Sequence, residues 1–159
     1  MRTRPPFPFP AARCRGGAII EFALVLALMI SIVAGILEFG RAFWYYDALS
    51  KATRNAARTL AVAPPATIAS SAVAAARSEV NAAASTAGVS SFSTSNVSVV
   101  CLDSAFNTAT CTDGTAPAAV RVSITGYSLF LGSTIPFLVG AERNYTVNLA
   151  PGTTMPYMK

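Results

Sequence analysis

Apolar residues run from Gly16 to Leu37 (GGAIIEFALVLALMISIVAGIL), interrupted only by Glu21 and Ser31. About 20 such residues are what a helix rising ~1.5 Å per residue needs to cross a bilayer. The run predicts a transmembrane helix over residues 17–40. Beyond it the pattern becomes two-faced. Tyr45, Leu49, Ala52, Ala56 and Leu60 recur every three or four residues on one face, while Lys51, Arg54, Asn55 and Arg58 line another. This predicts a helical extension over residues 41–63, closed by Pro64-Pro65. One helix from about 18 to 62 would be roughly 65–70 Å long, with flexible points at Gly35 and Gly40. Its basic face is either a solvated or headgroup-touching surface or a docking face for a partner.

Downstream, residues 64–159 form the expected outer domain. Residues 66–87 are Ala-rich with few breakers and predict a second helix. Its thin stripe of Ile68, Val73, Ala76 and Val80 is expected to pack on a sheet, with Gly88 as C-cap. Strand-like alternation follows at residues 95–102 and at 119–127, where Val120, Val122 and Ile124 share a side. A third strand is expected over residues 143–149, with Tyr145, Val147 and Leu149 inward. The apolar stretch 126–140 contains Pro136 and is too short and broken to span a membrane. It reads as a hydrophobic loop on the sheet, the membrane or a neighbouring subunit. The final PGTTMPYMK gives no element of its own. The fold class expected is α+β: a long N-terminal transmembrane helix extending into an exported domain with a second helix and a small antiparallel sheet.

Composition sharpens this. Of 159 residues, 53% are hydrophobic and only 12% charged, against ~25% charged in a typical soluble domain. The net charge of +5 is concentrated in the first 16 residues, where Arg2, Arg4, Arg13 and Arg15 accompany four prolines. The remaining eight basic residues face seven acids, so nothing points to a nucleic-acid partner. This basic leader, residues 1–16, precedes the span, and no A-x-A-like site follows it for an ordinary signal peptidase. Orientation by charge is not decisive, because Arg41, Lys51, Arg54 and Arg58 follow closely. The short basic arm and the downstream cysteine pair favour a cytoplasmic N-terminus. Trp44, Tyr45 and Tyr46 are the expected anchors at the far interface, where ring and polar tip are both satisfied.

Candidate chemistry is sparse. The chain has no histidine, and its seven acids are scattered. Catalysis, a cofactor, a metal site and a small-molecule substrate are therefore not expected. Cys101 and Cys111 bracket a turn in an exported domain, which suggests a disulfide, with free thiols as the alternative. Cys14 lies in the leader. Glu21 is the unusual residue, since a carboxylate at mid-bilayer costs ~2.5–3.5 kcal/mol on insertion scales and even one near the edge asks for a function.

The string Arg15-Gly16-Gly17-Ala18-Ile19-Ile20-Glu21-Phe22 resembles the prepilin-peptidase site of type IV pilins and pseudopilins: a basic leader ending in Gly, and Glu at the fifth mature position. The wider segment, through Glu38, Gly40-Arg41 and Ala56–Arg58, resembles the TadE-like family of tight-adherence (Flp-type) pilus systems. The resemblance is strong over about 45 residues and loose beyond them. It implies cleavage after Gly16 by a prepilin peptidase, with Gly16, Gly17 and Glu21 as processing residues and Glu21 and Phe22 as assembly residues. It further implies a minor pseudopilin-like structural subunit in the bacterial cytoplasmic membrane, single-pass, with other pseudopilins or pilus-assembly proteins as partners. The alternative is an uncleaved single-span anchor whose outer domain binds a ligand or envelope partner.

Overall fold

The computed structural model describes residues 16–132 and 145–158. The basic leader, Cys14, and the expectations for residues 133–144 lie outside that range. Two compact units divide the chain, Met1–Ile36 and Leu37–Lys159.

The described part of the first unit is the opening of helix α1, which runs from Gly17 to Ala61. Ile19, Ile20, Phe22, Leu24, Leu28 and Ile36 are all more than half exposed. The core helix of a soluble protein would bury such residues. Here the most apolar window of α1 has a mean hydropathy of 2.7 and is only 6% buried. Ser31 satisfies its hydroxyl within the helix by donating to the Ala27 carbonyl at 2.9 Å. Among the described residues this is the one helix long and apolar enough to cross a membrane.

The second unit is an α+β domain built on the rest of α1. Leu49, Ala52, Ala56, Ala57, Leu60 and Ala61 are buried on one face, while Arg54, Asn55 and Arg58 stay exposed. The alanines let neighbouring elements approach the helix closely, and Leu49 and Leu60 fill the space between them. A 3₁₀ turn (Pro65–Thr67) and a π turn (Ile68–Ala72) then lead into helix α2 (Val73–Thr86). The continuous helix expected over 66–87 is thus regular only from Val73. Its buried stripe is Ile68, Ala76, Val80 and Ala84, and α2 packs on the first strand of the sheet. Gly88, at φ +75°, ends it in a Schellman motif: Val89 N–H donates to the Ala84 carbonyl and Gly88 N–H to the Ser85 carbonyl, each at 3.0 Å.

The main sheet contains β1 (Val97–Leu102), β2 (Thr108–Ala109), β3 (Ala119–Ile124) and β6 (Gly152–Pro156), in the order β2-β1-β3-β6, antiparallel throughout. Val97, Val99 and Cys101 of β1 and Val120, Val122 and Ile124 of β3 join the helices in one core. The strands β4 (Ser128–Leu131) and β5 (Tyr145–Asn148) pair only with each other, as a separate two-stranded ribbon.

Three expectations need correction. The third strand of the main sheet is β6, not the segment around residue 145, and it comes from the C-terminal stretch that carries no strand signal. Tyr145 and Val147 do not point into the core: they are 55% and 39% exposed, and only Leu149, just past the strand, is buried. Their alternation reflects the two faces of the ribbon. Finally, the beginning of the apolar stretch 126–140 is strand β4, paired with β5 from Leu131↔Tyr145 to Ser128↔Asn148.

Candidate functional site

The residues at the start of α1 form a compact local arrangement. Gly16 lies in the turn before the helix, and its carbonyl accepts the first helical hydrogen bond, from Ile20 N–H at 3.3 Å. Gly17 is the first helical residue, and Glu21 follows one turn later on the same face. Glu21 and Phe22 are both exposed. A Cβ placed on Gly16 or Gly17 would meet nothing within 4 Å. Internal packing therefore does not account for either glycine.

At the other end of the apolar run, Glu38 is buried and pairs with Arg41 at 2.7 Å. A carboxylate removed from water needs such a partner, since an unpaired buried charge costs several kcal/mol or more. Arg41 Nη2 also donates to the Phe130 carbonyl at 2.9 Å, which ties β4 to the helix. Two of the three expected interface anchors donate hydrogen bonds to the domain. Tyr45 Oη donates to the Gly88 carbonyl at 2.9 Å, and Trp44 Nε1 donates to the Ala87 carbonyl at 3.4 Å. Helix C-termini leave carbonyls without intrahelical partners, so two aromatic side chains of α1 complete the end of α2. Tyr46 makes no such contact with α2 and is 48% exposed.

Cys101 and Cys111 are joined as a disulfide, with Cα atoms 5.0 Å apart. The bridge closes the β1–β2 hairpin and the loop that carries Asp113. Asp113 Oδ1 accepts from the backbone N–H groups of Ala69 at 2.7 Å and Ser70 at 3.2 Å, while Gly114 N–H donates to the Pro65 carbonyl at 2.9 Å. The loop thus caps the turn that leads into α2. Partial desolvation would raise the Asp113 pKa, but the hydrogen bonds from Ala69 and Ser70 outweigh it and hold the carboxyl below its ordinary range. Asp103 is lowered as well, chiefly by the Asn107 amide, inside the hairpin loop. Tyr127 is raised, by burial first and then by the neighbouring Tyr45; its hydroxyl donates to the Ser90 carbonyl.

Gly16, Gly17 and Glu21 fall in the first unit, and the cysteine pair falls in the second. Among the described residues no group of three or more Cys, Asp or Glu side chains could hold a metal ion. The interactions that sequence reasoning missed are the Asp113 cap and the closing contacts of the C-terminus. Asp113-Gly114 is a turn signal, but its type and spacing do not indicate the turn at Ala69 and Ser70 that it caps.

With this geometry in view, the comparison with known families is specific. Residues 16–58 match the family model TadE, described as TadE-like protein. This segment is TadE-like. The TadE-like match begins at Gly16, includes Gly17, Glu21 and Phe22, and ends at Arg58, three residues before the end of α1. It agrees with the resemblance read from the sequence. No curated protein and no solved structure matches the chain significantly.

Proposed function

We propose that the protein is a minor pseudopilin-like structural component of a tight-adherence pilus assembly or secretion system, cut after Gly16 by a prepilin peptidase. In this reading α1 anchors it in the bacterial cytoplasmic membrane, with the N-terminus cytoplasmic and the α+β domain exported. The observation that carries the proposal is the TadE-like match over residues 16–58, because it spans Gly16, Gly17 and Glu21 together with most of α1. Physical chemistry supports each role. Two adjacent glycines that no internal contact requires give a peptidase close access to the backbone. Cleavage would create an ammonium at Gly17, one turn from Glu21 and within reach of a carboxylate on its own or a neighbouring subunit. Either charge alone in lipid is costly, so pairing favours assembly in register. The exposed Phe22 beside Glu21 supplies apolar contact area for the same packing. The disulfide suits an exported domain. The domain contributes contacts rather than catalysis, and its partners are the membrane, the peptidase and other pilus-assembly proteins.

Deleting the gene and counting surface pili tests the role. Loss of pili, restored by the wild-type chain and not by Glu21→Val, is expected. Normal piliation in the deletion strain would refute it.

A further inference from the structure

Helix α1 keeps presenting apolar side chains after the apolar run of the sequence ends at Leu37. Phe39, Phe43 and Tyr46, spaced four and three residues apart, are 61%, 71% and 48% exposed. The β4–β5 ribbon lies beside them. Directly paired residues share a face, so Leu129 with Val147 and Leu131 with Tyr145 make one side of the ribbon apolar. Ser128 with Asn148 and Phe130 with Thr146 make the other. Phe39, Phe43, Tyr46, Leu131, Val147 and Leu149 line a groove of about 330 Å³.

We propose that this groove is a second membrane contact, occupied by phospholipid acyl chains of the leaflet at which the span ends. The inference rests on the reading of α1 as a membrane span. Three observations favour lipid as the occupant. The groove's helical wall continues the element that carries the apolar run, and Leu37, two residues before Phe39, is itself 68% exposed. Along the helix Phe43 lies about 9 Å beyond Leu37 and Tyr46 about 13 Å, so the first falls within, and the second just outside, the roughly 5–10 Å to which interfacial elements bury their apolar faces. Phe39 and Phe43 thus fall at the boundary between acyl chains and headgroups, and Tyr46 at the aqueous edge. The chemistry agrees: Tyr46, which lines the groove, and Tyr145, paired with Leu131 beside it, carry the apolar body and polar tip favoured at that level, and among the described residues no charged side chain lines the groove. Among the described lining residues a docked protein helix would find only the Asn148 amide and the Tyr46 hydroxyl to set its register. The ribbon is in this account a foot that sets the domain against the bilayer, held by the bond from Arg41 to the Phe130 carbonyl.

The test uses the full chain in vesicles of phosphatidylcholine brominated on its acyl chains. Trp44 is the single tryptophan, so Trp44→Phe supplies a silent background for Leu28→Trp, Phe43→Trp, Tyr145→Trp or Thr115→Trp. Relative to unbrominated vesicles, tryptophan at 28, 43 and 145 is expected to lose most of its fluorescence and at the exposed position 115 none. Placing one reporter on the helical wall and one on the ribbon, across from the lining residue Leu131, keeps the test independent of how the ribbon tolerates substitution. Quenching at 28 with none at 43 and 145 overturns the groove proposal and leaves the span intact. No quenching at 28 refutes the membrane reading itself. Emission at 145 that shifts to the blue only as the protein-to-lipid ratio rises would assign the groove to a second copy and overturn lipid as its occupant.

Discussion

The hydroxyl of Tyr45 donates a 2.9 Å hydrogen bond to the carbonyl of Gly88, joining the first helix to the left-handed residue that ends the second. The C-terminal strand does the same for α1: Met158 N–H donates to the Ala61 carbonyl at 2.9 Å, and the Tyr157 hydroxyl donates to the Ala63 carbonyl. Each helix in the domain ends on groups supplied from elsewhere in the chain. Cross-capping of this kind makes the two helices and the sheet depend on one another.

Tyr45→Phe keeps the ring and removes the donor. The Gly88 carbonyl is then left to water or unpaired, and the variant is expected to lose ~0.5–1.5 kcal/mol. Urea unfolding of the detergent-solubilised protein, followed by far-ultraviolet circular dichroism, measures it.

Removing the disulfide with Cys101→Ser plus Cys111→Ser is expected to cost ~2–3 kcal/mol, the range for a closed loop of this size. The damage should be directional. Because the bridge holds the loop that bears Asp113, hydrogen exchange is expected to quicken at Ala69 and Ser70 before it does at β3.

Asp113 sets an acid limb of stability. Its carboxyl titrates lower in the folded than in the unfolded chain, so its contribution is complete above the unfolded pKa, near 4, and fades as pH falls through the folded value. Asp103 acts in the same direction. Melting temperature is therefore expected to fall below about pH 4. Asp113→Asn, which can still accept from the same amides, should make that fall shallower.

Leu60 is fully buried between α1 and the rest of the core. Leu60→Ala is expected to destabilise the domain by ~2–5 kcal/mol, whereas Arg58→Ala on the exposed face should stay within ~0.5 kcal/mol. Denaturation midpoints separate the two outcomes.

The parts legible in the sequence are those with a strong period or a chemical pair. The apolar run and the stripe from Leu49 to Leu60 give α1 its two characters, and Val120, Val122 and Ile124 alternate cleanly in β3. The cysteines flank their turn. Strand β6 was not legible because an edge strand with one buried neighbour needs little apolar content: GTTMP offers only Met155, between two prolines that suit an edge. The ribbon is hard to read from sequence for a related reason. Tyr145 and Val147 alternate in phase with Leu149, but the strand ends at Asn148 and only Leu149 turns into the core. Gly16, Gly17 and Glu21 stand apart from these cases: they are recognised by residue type and spacing, and among the described residues no contact explains the two glycines.

The most direct test of the account is the intact mass and N-terminal sequence of the membrane-extracted protein, from cells with and without the prepilin peptidase. The account predicts a mature chain beginning at Gly17 only when the peptidase is present. A chain that keeps Met1 to Gly16 in both strains would contradict it and leave an uncleaved anchor.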